Sequence, residues 1–548
     1  MKKLYLYLLA GSVTLNLACG SFLEEHPRDG LSEEEAYASI SDLYRNGVAS
    51  LYNCIGSYKD SEGLQGTGRG IYDLNTFTTD EAIMPTRGGD WYDGGFWQGL
   101  YLHQWGVNSD AILNTWEYLF RSIKQCNYSL EQIERFSATH SDKELPAYKA
   151  EVRALRAMFY YYTMDLFGRV PLIISSNAGD KTMMQAGRDE IFTFIMKELQ
   201  EAAPFLSEER SNTPGTYYGR MTRAVAYFLL AKLALNTEVY MDTDWTDGVY
   251  PNGSTIYFTV DGKRLNAWQT TQYYCTELAR MGYRLENDYT SNFAIFNESS
   301  QENIFVVPMN KTLYTNQMQY PFRSRHYNHA KAYGLGGENG SSATLEVLQT
   351  YGYGTDAVDP RFDYCYFADE VYDLQGNPVL LDNGEPLIYH PDKVALDVSN
   401  TEYEQTAGAR MKKYEVDNPA LKDGKLMDND IVLFRYADVL LMMSEAKVRN
   451  GEDGTAELNE VRGRVGAPYR EATLENLLAE RQMELAWEGW RRQDLIRFKM
   501  QDGRNVFNGK SWFCKDATTE TKWDYFPLPK SALDANISLK QNEGYSGN

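Results

Sequence analysis

The chain has 548 residues, with 54 basic and 76 acidic side chains and a formal charge of −22. That acidity, with no basic patch, excludes a nucleic-acid binder, because such a surface repels phosphate backbones. It also excludes adsorption to anionic lipid by charge alone, while the length suits either several domains or one solenoid-like helical body.

The N-terminus reads as an export signal. Lys2 and Lys3 form a positive n-region, Leu4 to Leu17 an apolar h-region, and Ala18 the small residue before cleavage. The stretch is shorter than the roughly 20 residues of a membrane-spanning helix. Its end, Leu15-Asn16-Leu17-Ala18-Cys19, is similar to a lipobox. The expectation is therefore a lipoprotein signal peptide over 1–18, lipidation of Cys19 and a polar tether over 19–30. Removing Lys2 and Lys3 leaves a mature charge of −24. The other cysteines, Cys54, Cys126, Cys275, Cys365 and Cys514, are scattered and contain no CxxC pair. Neither a zinc site nor a disulfide framework is indicated, although a single bridge stays open.

Helical periodicity then recurs along the chain. Ser32 is a suitable N-cap for a helix over 33–53, and 108–136 reads similarly. Pro146 opens a helix with Ala147, Ala150, Ala154 and Ala157 on one side, which Gly168 and Pro171 end. Amphipathic or buried helices follow at 188–206, 222–240 and 267–281, and again at 431–450, 455–465 and 473–499. Paired helices with Ala at the crossings predict a mainly α, tetratricopeptide-like scaffold without a clean 34-residue period. Long stretches rich in Gly, Asn, Asp and Tyr, at 57–104, 242–265, 306–342 and 351–428, are the places to look for function.

Several motifs, in order, carry a resemblance. They are Ala154-Leu155-Arg156-Ala157, Asp165 to Leu172, Leu235 to Tyr240, Phe434 to Leu441 with Ser444-Glu445-Ala446, and Leu458 to Arg462. Glu480-Arg481, Glu484 to Phe498, Tyr525 to Pro529 and Gln541 to Tyr545 complete the series. Together they resemble the SusD/RagB outer-membrane lipoproteins of Bacteroidetes. The resemblance implies a single SusD-like body over 31–548, with an N-terminal part over 31–265 and a C-terminal part over 266–548. It further implies outer-membrane attachment through the lipid, exposure at the cell surface and a TonB-dependent, SusC-like transporter as partner. Such proteins capture oligosaccharides, or peptides in the RagB-like branch, and hand them to the barrel. The charged residues of the motifs, among them Arg156, Arg481 and Arg497, suit ion pairs between helices, and Trp487 and Trp490 suit packing.

Glycan binding needs flat aromatic faces beside short planar polar groups. The stretch 75–105 offers Asp80, Arg87, Asp90, Trp91, Tyr92 and Trp97 among glycines that allow a tight loop. The resemblance places ligand contacts of the starch-binding branch just after a sequence like Thr79-Asp80-Glu81. Trp97 and Trp105 serve equally as anchors of the loop. A second stretch, 314–333, offers Tyr320, Arg323, Tyr327 and Asn328. Around Asn339-Gly340-Ser341 the chain lacks the Trp of the starch-binding branch, which speaks against starch.

His326 and His329 have no third partner at metal-ligand spacing, so neither a metal nor a cofactor is expected. The rival function is a secreted glycoside hydrolase, with Asp80, Asp90 and Asp93 as conceivable carboxylates. No GxSxG, HExxH or phosphate-loop motif supports an enzyme. A purely protein-binding adaptor is the third reading.

Overall fold

The computed structural model describes residues 32–177, 183–247, 249–499 and 521–546. The signal peptide, Cys19 and the tether, like Cys514, lie outside the described residues.

Among the described residues nine helices build the frame: α1 (Asp110–Thr139), α2 (Leu145–Phe167), α3 (Arg188–Ala202), α4 (Arg223–Leu235), α5 (Ala267–Arg280), α6 (Tyr436–Arg449), α7 (Thr455–Arg464), α8 (Leu474–Glu484) and α9 (Arg491–Lys499). From α1 to α7 each helix packs on its successor, and α8 and α9 close over α6 and α8 respectively. This is the expected mainly α scaffold, a stack of helical hairpins running through the 265/266 position. The cause is visible in α1, where Ile112, Trp116, Leu119, Ile123, Cys126, Leu130 and Ile133 repeat at three-to-four spacing and are buried. Pro146 sits in the first turn of α2, where its missing N–H costs nothing, and Gly168 closes it at φ +70°.

The charged motif residues tie the frame together. Arg156 bonds Glu198 between α2 and α3, Arg481 bonds Asp438 between α8 and α6, and Arg497 bonds Glu445 between α9 and α6. All six side chains are buried. Removing one partner would strand a buried charge.

Three expected helices differ. Residues 33–53 break into Glu33–Ala36, Ile40–Leu43 and further short turns, because Ser39 caps a new start through Asp42. Ser32 is an N-cap as expected, in a capping box with Glu35. Ile431–Arg435 is a strand, β2, paired antiparallel with β1 (Asn303–Val307), and both are fully buried. A short, continuously apolar run does not distinguish a buried strand from a helix by period. The expected helix 473–499 divides into α8 and α9, with Trp487 at φ +64° and Gly489 at φ +74° between them.

Between α5 and α6 the chain makes a long excursion that interlocks with loop 57–104. Ala82–Ile83 pairs with Ser342–Ala343, Gln319 N–H reaches Gly66 O at 2.8 Å, and Thr86 N–H reaches Leu396 O at 2.9 Å. These contacts gather the two Tyr/Asp-rich stretches onto one side of the frame.

Candidate functional site

The first stretch is bolted at its root. Asp80 accepts two bonds from Arg491, at 2.7 Å each, and Glu81 accepts the Trp487 backbone N–H at 2.8 Å. Beyond this root the chain forms a tight hairpin. Arg87 and Asp90 exchange backbone bonds of 3.0 Å around Gly88-Gly89, with Gly88 at φ +64°. Arg87 folds beneath, donating to Glu404 O at 2.7 Å, Ala407 O at 2.8 Å and Ser342 Oγ at 3.0 Å. Burial, aided by the nearby Arg410, pushes its pKa well below the ordinary value. The guanidinium positions the hairpin and does not face solvent.

At the tip a smaller group comes together. Tyr327, 45 % exposed, donates its hydroxyl to Asp90 Oδ2 at 3.1 Å, joining the second stretch to the first. Trp91, at φ +63°, is half-buried and donates its indole N–H to Glu338 O at 2.9 Å. Tyr92 is 51 % exposed beside it. Asn328 follows Tyr327 and donates to Asp382 Oδ1 at 2.9 Å and Leu380 O at 3.1 Å. Burial, with Asp90 alongside, raises the Tyr327 phenol above its usual pKa, so it remains a donor at neutral pH. Burial likewise raises the Glu338 carboxyl. Rings held in fixed poses beside carboxylates and amides suit the apolar face and hydroxyls of a sugar.

Five expected ligand residues are spent elsewhere, and the structure corrects those expectations. Asp80 and Arg87 are buried in the bonds just described. Trp97, 2 % exposed, is an anchor: its indole N–H donates to Asp93 Oδ2 at 2.8 Å, and its ring meets Phe77 edge-on at 5.3 Å. Tyr320 stacks on Tyr72 at 3.7 Å and accepts the Gly66 N–H. Arg323 makes a bidentate pair with Asp73 at 2.7 and 2.6 Å. Asp90, Trp91, Tyr92, Tyr327 and Asn328 remain at the surface.

Sequence reasoning missed Glu338 and the rim residues Asp382 and Gln405. Gln405 accepts from Asn339 Nδ2 at 2.9 Å. All three lie in the stretches 306–342 and 351–428, but no aromatic residue adjoins them to single them out. His329 lies between the hydroxyls of Tyr389 and Tyr333, 3.0 Å from each. Burial depresses it to about 3 and His326 to about 4. Among the described residues no group of three or more His, Cys, Asp or Glu could hold a metal.

Comparison with known proteins bears on this arrangement. A model described as the SusD family matches residues 257–545. The chain belongs to the SusD family. A second model, described as starch-binding associating with outer membrane, matches residues 69–235. The chain is similar to the starch-binding protein SusD of Bacteroides thetaiotaomicron, 24 % identical over 93 % of this chain and 91 % of that one. A SusD-like protein of Bacteroides ovatus is 22 % identical over 99 % of this chain and 92 % of its own. Among solved structures, the surface glycan-binding protein A of Bacteroides uniformis superposes with a TM-score of 0.69 at 19 % identity, covering 92 % of this chain and 99 % of the other. The corresponding protein of Bacteroides thetaiotaomicron, in complex with laminarihexaose, gives 0.67 at 20 % identity, covering 91 % and 98 %. At these identities the structural likeness establishes the family fold. No helix among the described residues is long and apolar enough to cross a membrane.

Proposed function

We propose that this chain is a cell-surface glycan-binding lipoprotein. It captures oligosaccharides on the patch formed by Asp90, Trp91, Tyr92, Tyr327 and Asn328, and delivers them to a TonB-dependent, SusC-like transporter in the outer membrane. The observation that carries the reading is the Tyr327–Asp90 bond, which joins two aromatic loops from distant parts of the chain into one exposed surface. Relatives named as starch-binding and a neighbour complexed with laminarihexaose support a carbohydrate ligand. The family description of association with the outer membrane supports the location, and lipidation of Cys19 would supply the attachment.

The protein acts as a binder and does no bond chemistry. Of the conceivable hydrolytic carboxylates, Asp80 is held by Arg491 and Asp93 by Arg69 and Trp97. Asp90 and Asp93 both face solvent, but Asp93 is already occupied by that ion pair and indole bond, which leaves Asp90 alone, and glycoside hydrolysis uses a pair.

Isothermal titration against a polysaccharide and oligosaccharide panel tests the reading. Binding that falls at least about tenfold in Tyr92→Ala/Tyr327→Ala supports it. Unchanged binding in that variant, or sugar products released by the wild type and not by Asp90→Ala, would overturn it.

A further inference from the structure

Behind the loop that carries Tyr92, the stretch 93–96 forms one wall of a separate cleft of about 1,090 Å3. Its other walls come from residues 60–69, the approach to α1 and the C-terminal segment 522–546. Ordinary ligand sites occupy roughly 300–1,000 Å3, so this one has room for several sugar rings.

The chemistry of the lining is specific. Phe96 and Trp523 are half-buried and present part of their rings, and Tyr545 stands beside them. Trp105 and Tyr545 meet Trp523 edge-on, at 5.3 and 6.1 Å between ring centres. The Tyr545 hydroxyl is itself fixed, donating to Tyr525 O at 2.7 Å. Such rings offer stacking area with little conformational entropy left to lose.

Around them lie short polar groups with hydrogen-bonding capacity to spare. Asn108 and Asn114 are exposed, and neither side chain bonds another described residue. Asp60 has one long contact, 3.4 Å from Gln319. The cations at the cleft are engaged: Arg69 pairs with Asp93 at 2.7 Å, and Lys522 lies over the Trp523 ring at 4.5 Å. Polar walls disfavour an apolar guest. Engaged cations beside the free carboxylate of Asp60 disfavour an anionic one.

We infer that this cleft is a second carbohydrate site, for a neutral oligosaccharide, back to back with the first across the 93–96 wall. The inference rests on the glycan-binding reading of the family member but uses none of the residues of the first patch.

The test titrates the full chain with laminariheptaose, maltoheptaose and an oligogalacturonate. It uses the wild type, the patch variant Tyr92→Ala/Tyr327→Ala, and each of these combined with Asn108→Ala/Asn114→Ala, two exposed positions where folding is not at stake. The expected result is residual binding of a neutral heptasaccharide by the patch variant, reduced at least about fivefold when the Asn pair is also removed. Trp523→Ala reports the same loss. A patch variant that binds no neutral sugar while the wild type does overturns the cleft and leaves the first patch standing. Binding lost only in the Asn variants upholds the cleft and removes the first patch. Wild-type binding of the oligogalacturonate alone overturns the cleft, and binding of no sugar overturns both.

Discussion

The indole of Trp91 lies where a side chain on Gly340 would be: a Cβ there would stand 2.6 Å from Trp91 Cε2 and 2.9 Å from Met84 Sδ. The segment 339–341 has no Trp of its own, and the indole over it comes from the other loop. Gly340 thus determines the pose of the most enclosed ring of the patch, together with the bond from the indole N–H to Glu338 O. Gly340→Ala should displace that ring at a cost of about 1–2 kcal/mol in ligand binding, or roughly 5–30-fold in Kd. Because the effect acts through Trp91, Gly340→Ala combined with Trp91→Ala should bind no worse than Trp91→Ala alone. Additive losses in titration would show that Gly340 acts by another route.

Tyr327 supplies a ring and a bond, and these can be separated. Tyr327→Phe keeps the exposed face and removes the hydroxyl that Asp90 accepts. A surface hydrogen bond of this kind is worth about 0.5–1.5 kcal/mol, so the Phe variant should lose less than about tenfold in affinity. Tyr327→Ala also loses the ring and should fall further, by more than about 1 kcal/mol beyond the Phe variant. Equal losses in the two variants, read by the same titration, would mean that stacking contributes nothing at this position.

The frame was legible in the sequence because helix periodicity is local: α1, α2, α5 and α7 lie within a few residues of their expected limits. The exposed tip was legible too, since Trp91 and Tyr92 sit among glycines and Tyr327 follows a turn. What could not be read was which Asp, Arg and Tyr of the same stretches turn inward. Asp80 meets Arg491 across 411 positions of sequence, and Arg323 meets Asp73 across 250. A bidentate pair holding a loop uses the same residue types as a sugar site, and only the distant partner distinguishes them. The break between α8 and α9 has the same origin, because the Trp487 N–H turns out of helical geometry toward Glu81.

The Asp80–Arg491 pair gives that distinction a measurable form. Both side chains are buried, and removing one leaves the other charge without its partner. Asp80→Ala should therefore destabilise the fold by about 3–5 kcal/mol, lowering the thermal midpoint by several degrees. The affinity of the protein that remains folded should be unchanged. A variant of wild-type stability with weakened ligand binding would return Asp80 to the ligand site.

Two buried carboxyls make stability depend on pH in an unusual direction. Burial raises Glu81 from 4.5 to about 7, against the pull of the Trp487 N–H. Burial likewise raises Asp430 from 3.8 to about 7, although it accepts the Tyr218 hydroxyl and the Met309 N–H. For each group the folded state binds the proton more tightly than the unfolded chain. Its contribution is full below the unfolded value near 4 and is lost as pH rises to about 7. Glu445 works oppositely: the Arg497 and Arg449 charges overcome its burial and hold it near 2, so its contribution is lost only as pH falls from about 4.5 toward 2. These three groups together place maximum stability near pH 4, and each raised group loses about 2–3 kcal/mol between pH 5 and pH 8. Glu81→Gln keeps an oxygen for the Trp487 N–H and removes the titration. It should be more stable than wild type at pH 8, with a flatter slope between pH 5 and 7 in denaturant titrations. A variant whose slope between those values matched that of the wild type would assign the pH dependence to other groups.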